Sequence, residues 1–232
     1  MSADVLPLPF EDPGDYRPEV FRTTPLPHDK RGQLNYSQQK VKGFDLDAHQ
    51  RAKLLMIGGG GIMSHVAQGC VRKGTGYLGI VDHDIVEAAN LTRQLFHSDD
   101  IGEYKAIALA RRLANEGFFE TTITPYPYRV QELVRAGHDF SQYDLLVCGV
   151  DNNPTRVAAA ELGLKARKPV IHTGVSRDGS WLYCAVQEPG AACFGCMLPH
   201  ALNDNSYPCN LPGIIDVLQV VAGFVVFAVD TL

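Results

Sequence analysis

Residues 54–57 (LLMI) form a short apolar run that breaks into four consecutive glycines, Gly58, Gly59, Gly60 and Gly61. A helical pattern follows, with Val66, Ala67, Cys70 and Val71 on one face. It ends at Gly74 and Gly76, and a second apolar run at 78–81 (LGIV) stops on Asp82. Strand, glycine turn, helix, strand, acid is the order of a nucleotide-binding βαβ unit. Glycines let the backbone approach a phosphate, and the helix start beyond them offers unpaired N–H groups and the positive end of a dipole. Gly58, Gly60 and Gly61 are therefore read as a phosphate cradle. Asp82, at the tip of the second strand, is placed to accept hydrogen bonds from a ribose hydroxyl.

The glycine fingerprint alone is weak, and in G-x-G-x-x-G the third glycine, needed for close helix–strand packing, falls on Met63. That strains a dehydrogenase reading. Beyond Asp82 come Asp84, Asn90, Leu91, Arg93, Gln94, Gly102 and Lys105. Two cations and an amide just past the ribose acid suit a triphosphate. Arg93 supplies a planar fork of donors and Lys105 a mobile point charge. Asn90 and Gln94 can hydrogen-bond phosphate or ribose oxygens, and Asp84 belongs to the same nucleotide set. Lys105 falls in the first turn of a helix predicted over 104–116, where a cation opposes the macrodipole. A nearby phosphate would offset that cost.

The remaining chain completes an α/β pattern. Strands are expected at 121–126, 145–150, 169–174 and 180–187, and a helix at 130–136. The run at 145–150 (LLVCGV) is continuously apolar, as a central parallel strand should be. It ends on Asp151, Asn152 and Asn153, at a strand end where open α/β sheets bind ligands. Pro154 starts the next helix, with Asn153 able to cap it. Asp151 with its neighbouring amide oxygens is suitable chemistry for a hard cation. Residues 180–187 (SWLYCAVQ) alternate like an antiparallel strand, with Trp181 able to pack over the sheet. The fold class is α/β, a Rossmann-like and mostly parallel sheet flanked by helices.

With 232 residues the chain is long enough for one sizeable domain with a full core. Residues 1–34 hold six of the fourteen prolines and read as an irregular, partly extended arm, with the domain proper at 35–232. Short helices are expected on either side of Gly43. The net charge of −5 lacks the basic footprint of a nucleic-acid binder. No signal peptide or disulfide framework is visible, which fits a reducing cytosol. Residues 213–232 are about the length of a membrane span, but Asp216, Gln219 and Asp230 interrupt them. A core or interface helix is the reading, so no membrane is expected. Cys70 reads as buried packing.

The glycine turn, VDHDIVEAANLTRQLF and the downstream GEYK resemble the ThiF/MoeB superfamily of ubiquitin-activating-like adenylyltransferases. The resemblance runs from about residue 35 to the end. It implies ATP- and magnesium-dependent adenylation of the C-terminal glycine carboxylate of a small ubiquitin-like or sulfur-carrier protein ending in Gly-Gly. It also implies a homodimer and an antiparallel substrate half. By the same resemblance Arg93 and Lys105 serve the triphosphate, and Asp151 organises magnesium, next to Asn152. Cys193 and Cys196 match half of the family's zinc-binding cysteines, with His200 or Cys209 able to complete a local site. Cys209 matches a crossover-loop cysteine that takes the acyl group or carries sulfur. The family's trans-acting arginine falls on Gln38, and an amide cannot neutralise phosphate. A whole family member would continue with more strands, so the chain reads as trimmed or as a short variant. Two other readings stand beside adenylation: a binding module without catalysis, and a nicotinamide dehydrogenase.

Overall fold

The computed structural model describes residues 12–27, 30, 41–176, 181–199 and 214–232. Strand β1 is Phe21–Arg22, β2 Lys53–Ile57, β3 Tyr77–Val81, β4 Thr122–Tyr126, β5 Leu145–Cys148, β6 Val170–Val175 and β7 Leu182–Gln187. They form a single seven-stranded sheet in the order β1-β4-β3-β2-β5-β6-β7. The five central strands are parallel, and β1 and β7 run antiparallel at the two edges. The helices are α1 Leu46–Arg51, α2 Gly61–Lys73, α3 Lys105–Ala114, α4 Val130–Arg135, α5 Asn153–Ala166, α6 Phe194–Met197 and α7 Ile215–Thr231.

The apolar runs become central strands because both faces are covered. Side chains alternate across the sheet. Leu54, Met56, Leu145 and Val147 point into a core shared with α2, α3 and α7. Leu55, Ile57, Leu146 and Cys148 point into a second core with α4, α5, Tyr128 and Tyr143. The register sets Ile57 opposite both Val81 and Cys148, so three strands end at one level.

Met63 does not strain the packing of α2 on the sheet. It is fully buried, and the space it needs is left by Gly149, where an added Cβ would lie 2.5 Å from the Met63 Sδ. The small residue required for close approach sits on the neighbouring strand's turn instead of on the helix.

The arm is partly extended, as read, and its extended part is an edge strand: Phe21 and Arg22 pair with Ile123 and Thr122. The buried Thr23 hydroxyl accepts from the Thr121 N–H at 2.8 Å, which ties that strand down. Several expectations need correction. Strand β5 stops at Cys148, leaving Gly149 and Val150 to the turn. The cap of α5 is Asn152, whose side chain accepts from the Thr155 N–H at 3.0 Å, and Asn153 is the first helical residue. Trp181 is half-exposed and tilted against Tyr183 rather than laid over the sheet. The helix expected before Gly43 lies outside the described residues; the one after it is α1. Other boundaries shift by one or two residues.

The C-terminal apolar run is the helix α7. Leu218, Val221, Ala222, Val225 and Val229 are buried, while Val220, Phe224 and Phe227 are exposed on the opposite side. Its end is anchored by Asp230, which takes His49 Nε2 at 2.8 Å and the Lys73 ammonium. Among the described residues no helix is long and apolar enough to cross a membrane. Cys70 is fully buried, as expected.

Candidate functional site

The strand order reverses between β2 and β5, and a cleft of about 500 Å³ opens there, beyond the carboxyl ends of the parallel strands. Gly58, Gly60, Gly61, Asp82, Asp84, Asn90, Arg93, Gln94, Lys105, Asp151 and Asn152 all line it. Eleven sequence-predicted positions, spread over 95 residues of chain, thus meet in one place because three strands end level.

The floor is the glycine turn. Gly58 has φ +106°, a conformation side chains rarely adopt, and a Cβ there would lie 3.2 Å from the Gly149 carbonyl oxygen. Gly60 heads α2 with no side-chain cap, so the first N–H groups of that helix face the cleft without an internal acceptor.

Asp82 is held on both oxygens. Oδ2 accepts from the Gly59 N–H at 2.6 Å and Oδ1 from the Asp84 N–H at 2.9 Å. Burial raises its pKa, against the pull of Lys105. Lone pairs remain on each oxygen for a further donor. Lys105 Nζ donates to Asp84 Oδ2 at 3.0 Å. Burial works against the ammonium, but Asp82, Asp84 and the more distant Asp151 together hold its pKa above the ordinary value. Asp84 is itself half-desolvated, yet Lys105 and His83 hold its carboxyl below the ordinary value. The helix-start cost of Lys105 is therefore met by two carboxylates.

Residues 85–104 leave the sheet and return to it. The return is zipped: the Val86 N–H donates to the Glu103 oxygen at 2.8 Å and the Lys105 N–H to the Asp84 oxygen at 2.8 Å. The buried Asp100 holds the far end through Arg111 at 2.9 Å and Arg112 at 2.8 Å. Both guanidiniums keep its carboxyl below the ordinary value despite its burial. Asn90 is partly committed, since its Oδ1 accepts from the Glu87 N–H at 2.9 Å. Arg93 Nη1 donates to the Ala89 oxygen at 2.8 Å, leaving most of its fork open. Gln94 is buried, and its Oε1 has no partner among the described residues. Helix α2 docks this stretch: His65 Nε2 donates to the Arg93 oxygen at 3.3 Å, and the Leu95 N–H donates to Ser64 Oγ at 3.4 Å.

Across the cleft, Asp151 is partly exposed, with Asn152 Nδ2 at 3.4 Å from its Oδ1. Asn152 spends its own oxygen on the cap of α5. Sequence reasoning missed Arg129, Gln131 and Arg156, which also line the cleft. For Arg156 a signal existed: it lies one helical turn past Asn152 and Asn153.

Cys193 and Cys196 are elsewhere, beyond β7, at the N-cap and within α6 respectively, with sulfurs 3.4 Å apart. Hydrogen bonds from Cys196, chiefly its backbone N–H, hold the Cys193 thiol below its ordinary pKa. Gln38, His200 and Cys209 lie outside the described residues. Among the described residues the only cluster of three or more candidate metal ligands is Asp82, His83 and Asp84. Lys105 and two backbone N–H groups already engage its carboxylates.

These features fit a nucleoside triphosphate: a cradle that a Cβ would obstruct, an uncapped helix start, two cations, and an orphaned amide oxygen. The ThiF family profile matches residues 33–229. The chain belongs to the ThiF family. It is 30% identical over 180 residues to the sulfur carrier protein adenylyltransferase of Thermus thermophilus, covering 75% of this chain and 66% of that protein. It is 30% identical over 201 residues to the adenylyltransferase and sulfurtransferase MOCS3 of Xenopus laevis, covering 80% and 44%. The chain thus spans from under half to about two thirds of these relatives. Among solved structures it resembles E. coli MccB with ATP, with a TM-score of 0.63, 23% identity, and coverage of 80% of this chain and 56% of that one. PaaA gives a TM-score of 0.66 at 17% identity, covering 90% and 66%. These two likenesses show the fold.

Proposed function

We propose that this chain uses ATP to adenylate the C-terminal carboxylate of a small ubiquitin-like or sulfur-carrier protein. The observation that carries this reading is the pairing of a cationic, amide-lined cradle at an uncapped helix start with a partly exposed carboxylate, Asp151, across the same cleft. The names of the curated relatives, both adenylyltransferases, support it.

A C-terminal carboxyl has a pKa near ~3.5 and is already an anion at neutral pH, so no general base is required. One carboxylate oxygen attacks the α-phosphorus, the bond to the β-phosphate bridging oxygen breaks, and pyrophosphate leaves with that electron pair. The difficulty is electrostatic, because an anion meets a polyanion. Arg93 and Lys105 take the charge on the triphosphate and the departing pyrophosphate. Gly58, Gly60 and Gly61 present backbone N–H groups to the phosphates. Asp82 receives the ribose, Asn90 and Gln94 add amide contacts, and Asp84 keeps Lys105 charged and aimed. Asp151, next to Asn152, would hold magnesium, which would supply further neutralisation of the phosphates.

The partner in this reading ends in Gly-Gly, and the protein works in the cytosol. A homodimer would cover the exposed face of α7 at Val220, Phe224 and Phe227. Attack of the Cys209 thiolate on the acyl carbon of the adenylate would break its bond to the phosphate oxygen, release AMP and leave a thioester, and Cys193 and Cys196 would supply ligands to zinc; both steps belong to the proposal. ATP–pyrophosphate exchange with a Gly-Gly-ended carrier protein tests it. Carrier-dependent exchange is the expected result. ATP binding without exchange would leave a silent binding module, the reading that Gln38 favours. Thermal stabilisation by NAD, and none by ATP with magnesium, would make the chain a dehydrogenase relative.

A further inference from the structure

Arg156 is on α5, and its guanidinium reaches back over the start of its own helix. Nη2 donates to the Val150 carbonyl oxygen at 2.6 Å, and Nη1 donates to Asn153 Oδ1 at 3.1 Å. Those two acceptors bracket Asp151 and Asn152. The same group approaches Tyr183 of β7, with its central carbon 5.9 Å from the ring centroid. Strand β6 leaves the room: a Cβ on Gly174 would lie 2.9 Å from Nη2 and 2.8 Å from the Tyr183 ring. The Nε donor is buried without a hydrogen-bond partner among the described residues. One side chain thus joins the β5–α5 turn, the end of β6 and the antiparallel edge strand.

Asp151 needs such support. Its one hydrogen bond among the described residues is the 3.4 Å contact from Asn152, which is long. A carboxylate held so loosely by its neighbours is aimed by its backbone. We infer that Arg156 is a positioning residue: it clamps the turn at 149–153 so that Asp151 points into the cleft, and it ties that aim to β7. The fork is required for this. Two acceptors in different directions are reached at once by a planar guanidinium, while a lysine ammonium on its flexible stem would hold neither in a fixed geometry.

The clamp rests on the adenylation reading only for what Asp151 then does. The test uses the full chain and three variants, Arg156→Met, Arg156→Lys and Gly174→Ala. The last displaces the guanidinium without deleting it, and serves if Arg156→Met fails to fold. Amide hydrogen exchange in peptides spanning 149–155 should rise about tenfold in Arg156→Met and detectably in Gly174→Ala, with 58–62 unchanged. The magnesium concentration that half-saturates ATP-dependent stabilisation should rise about tenfold in Arg156→Met. Arg156→Lys should restore neither reading. Unchanged exchange at 149–155, an equal rise in both segments, or full rescue by lysine would each overturn the clamp. Faster exchange at 149–155 with an unmoved magnesium midpoint would overturn the link to Asp151. If the wild-type chain shows no magnesium-dependent response to ATP, the adenylation reading falls, and the exchange data alone decide the clamp.

Discussion

Asp82 follows its strand with each oxygen anchored by one backbone N–H, Gly59 at 2.6 Å and Asp84 at 2.9 Å, and with Lys105 beside it. Asp151 follows its strand across the same cleft with a single 3.4 Å contact and a distant clamp through Arg156. The contrast extends to the surroundings. On the Asp82 side the excursion at 85–104 is zipped, capped and pinned by the Asp100 ion pairs. On the Asp151 side, Arg156 Nε is buried without a partner among the described residues, and neither ring nitrogen of His172 makes a well-formed hydrogen bond, although Gln187 approaches the ring. Apart from the Gln94 Oε1 left open in the cleft, the first flank is satisfied internally and prebuilt. The other carries the strain of unmet polar groups, each costing about 1–3 kcal/mol when buried. Substitutions on the first flank should therefore act through charge placed in advance, and those on the second through freedom and proton uptake.

The largest effect that would sharpen this contrast is expected at Lys105. Lys105→Ala should lower ATP–pyrophosphate exchange about 10³-fold, and exchange at the wild-type rate would remove it from the charge-bearing role. Next is acid sensitivity on the opposite flank. Burial lowers the His172 pKa from 6.5 to about 4. The folded chain then resists a proton that the unfolded chain accepts. That stability is complete above pH 6.5 and is lost as pH falls toward 4, about 3 kcal/mol in all. Urea midpoints at pH 7, 5.5 and 4 should show this fall, and His172→Leu should flatten it. Parallel falls in both proteins would mean that the sensitivity lies elsewhere.

Asp151→Asn should reduce exchange about 10²-fold while moving stability by no more than ~0.5 kcal/mol in thermal or urea unfolding. A large stability loss would show that Asp151 is as built-in as Asp82, and the contrast would fail. The smallest effect is expected at Gly61→Ala. The new Cβ would meet Leu218 Cδ1 at 2.8 Å, the far end of a flexible side chain. A cost of about 1 kcal/mol in the urea midpoint is expected, with ATP binding weakened only modestly. A loss beyond 3 kcal/mol would show Leu218 to be fixed against the cradle.

Much of the prebuilt flank could be read along the chain, because it is nearly contiguous. Lys53 through Lys105 carries the strand, turn, helix, acid and cations in order, and local spacing is informative over such distances. The other flank was only half legible. Asp151 and Asn152 were visible as a polar break after an apolar run, but the identity of the cap was off by one residue. Arg156 and His172 were not singled out, because their importance arises from Tyr183, Gly174 and Phe194, residues up to 27 positions away on other elements. Met63 departs from the glycine fingerprint, and the space it fills is supplied by Gly149 on another turn, which no local spacing reveals.

Periodicity and composition dictated the α/β alternation, the cradle and the acid at the strand tip, since each follows from local backbone sterics and the burial of apolar runs. Which polar groups are already satisfied, and which are left for a ligand, was settled by packing. Hydrogen bonds and desolvation depend on what lies within about 3–4 Å in space, and only the folded chain puts Asp82 under Gly59, Met63 into the gap at Gly149, and Arg156 across the turn of Asp151.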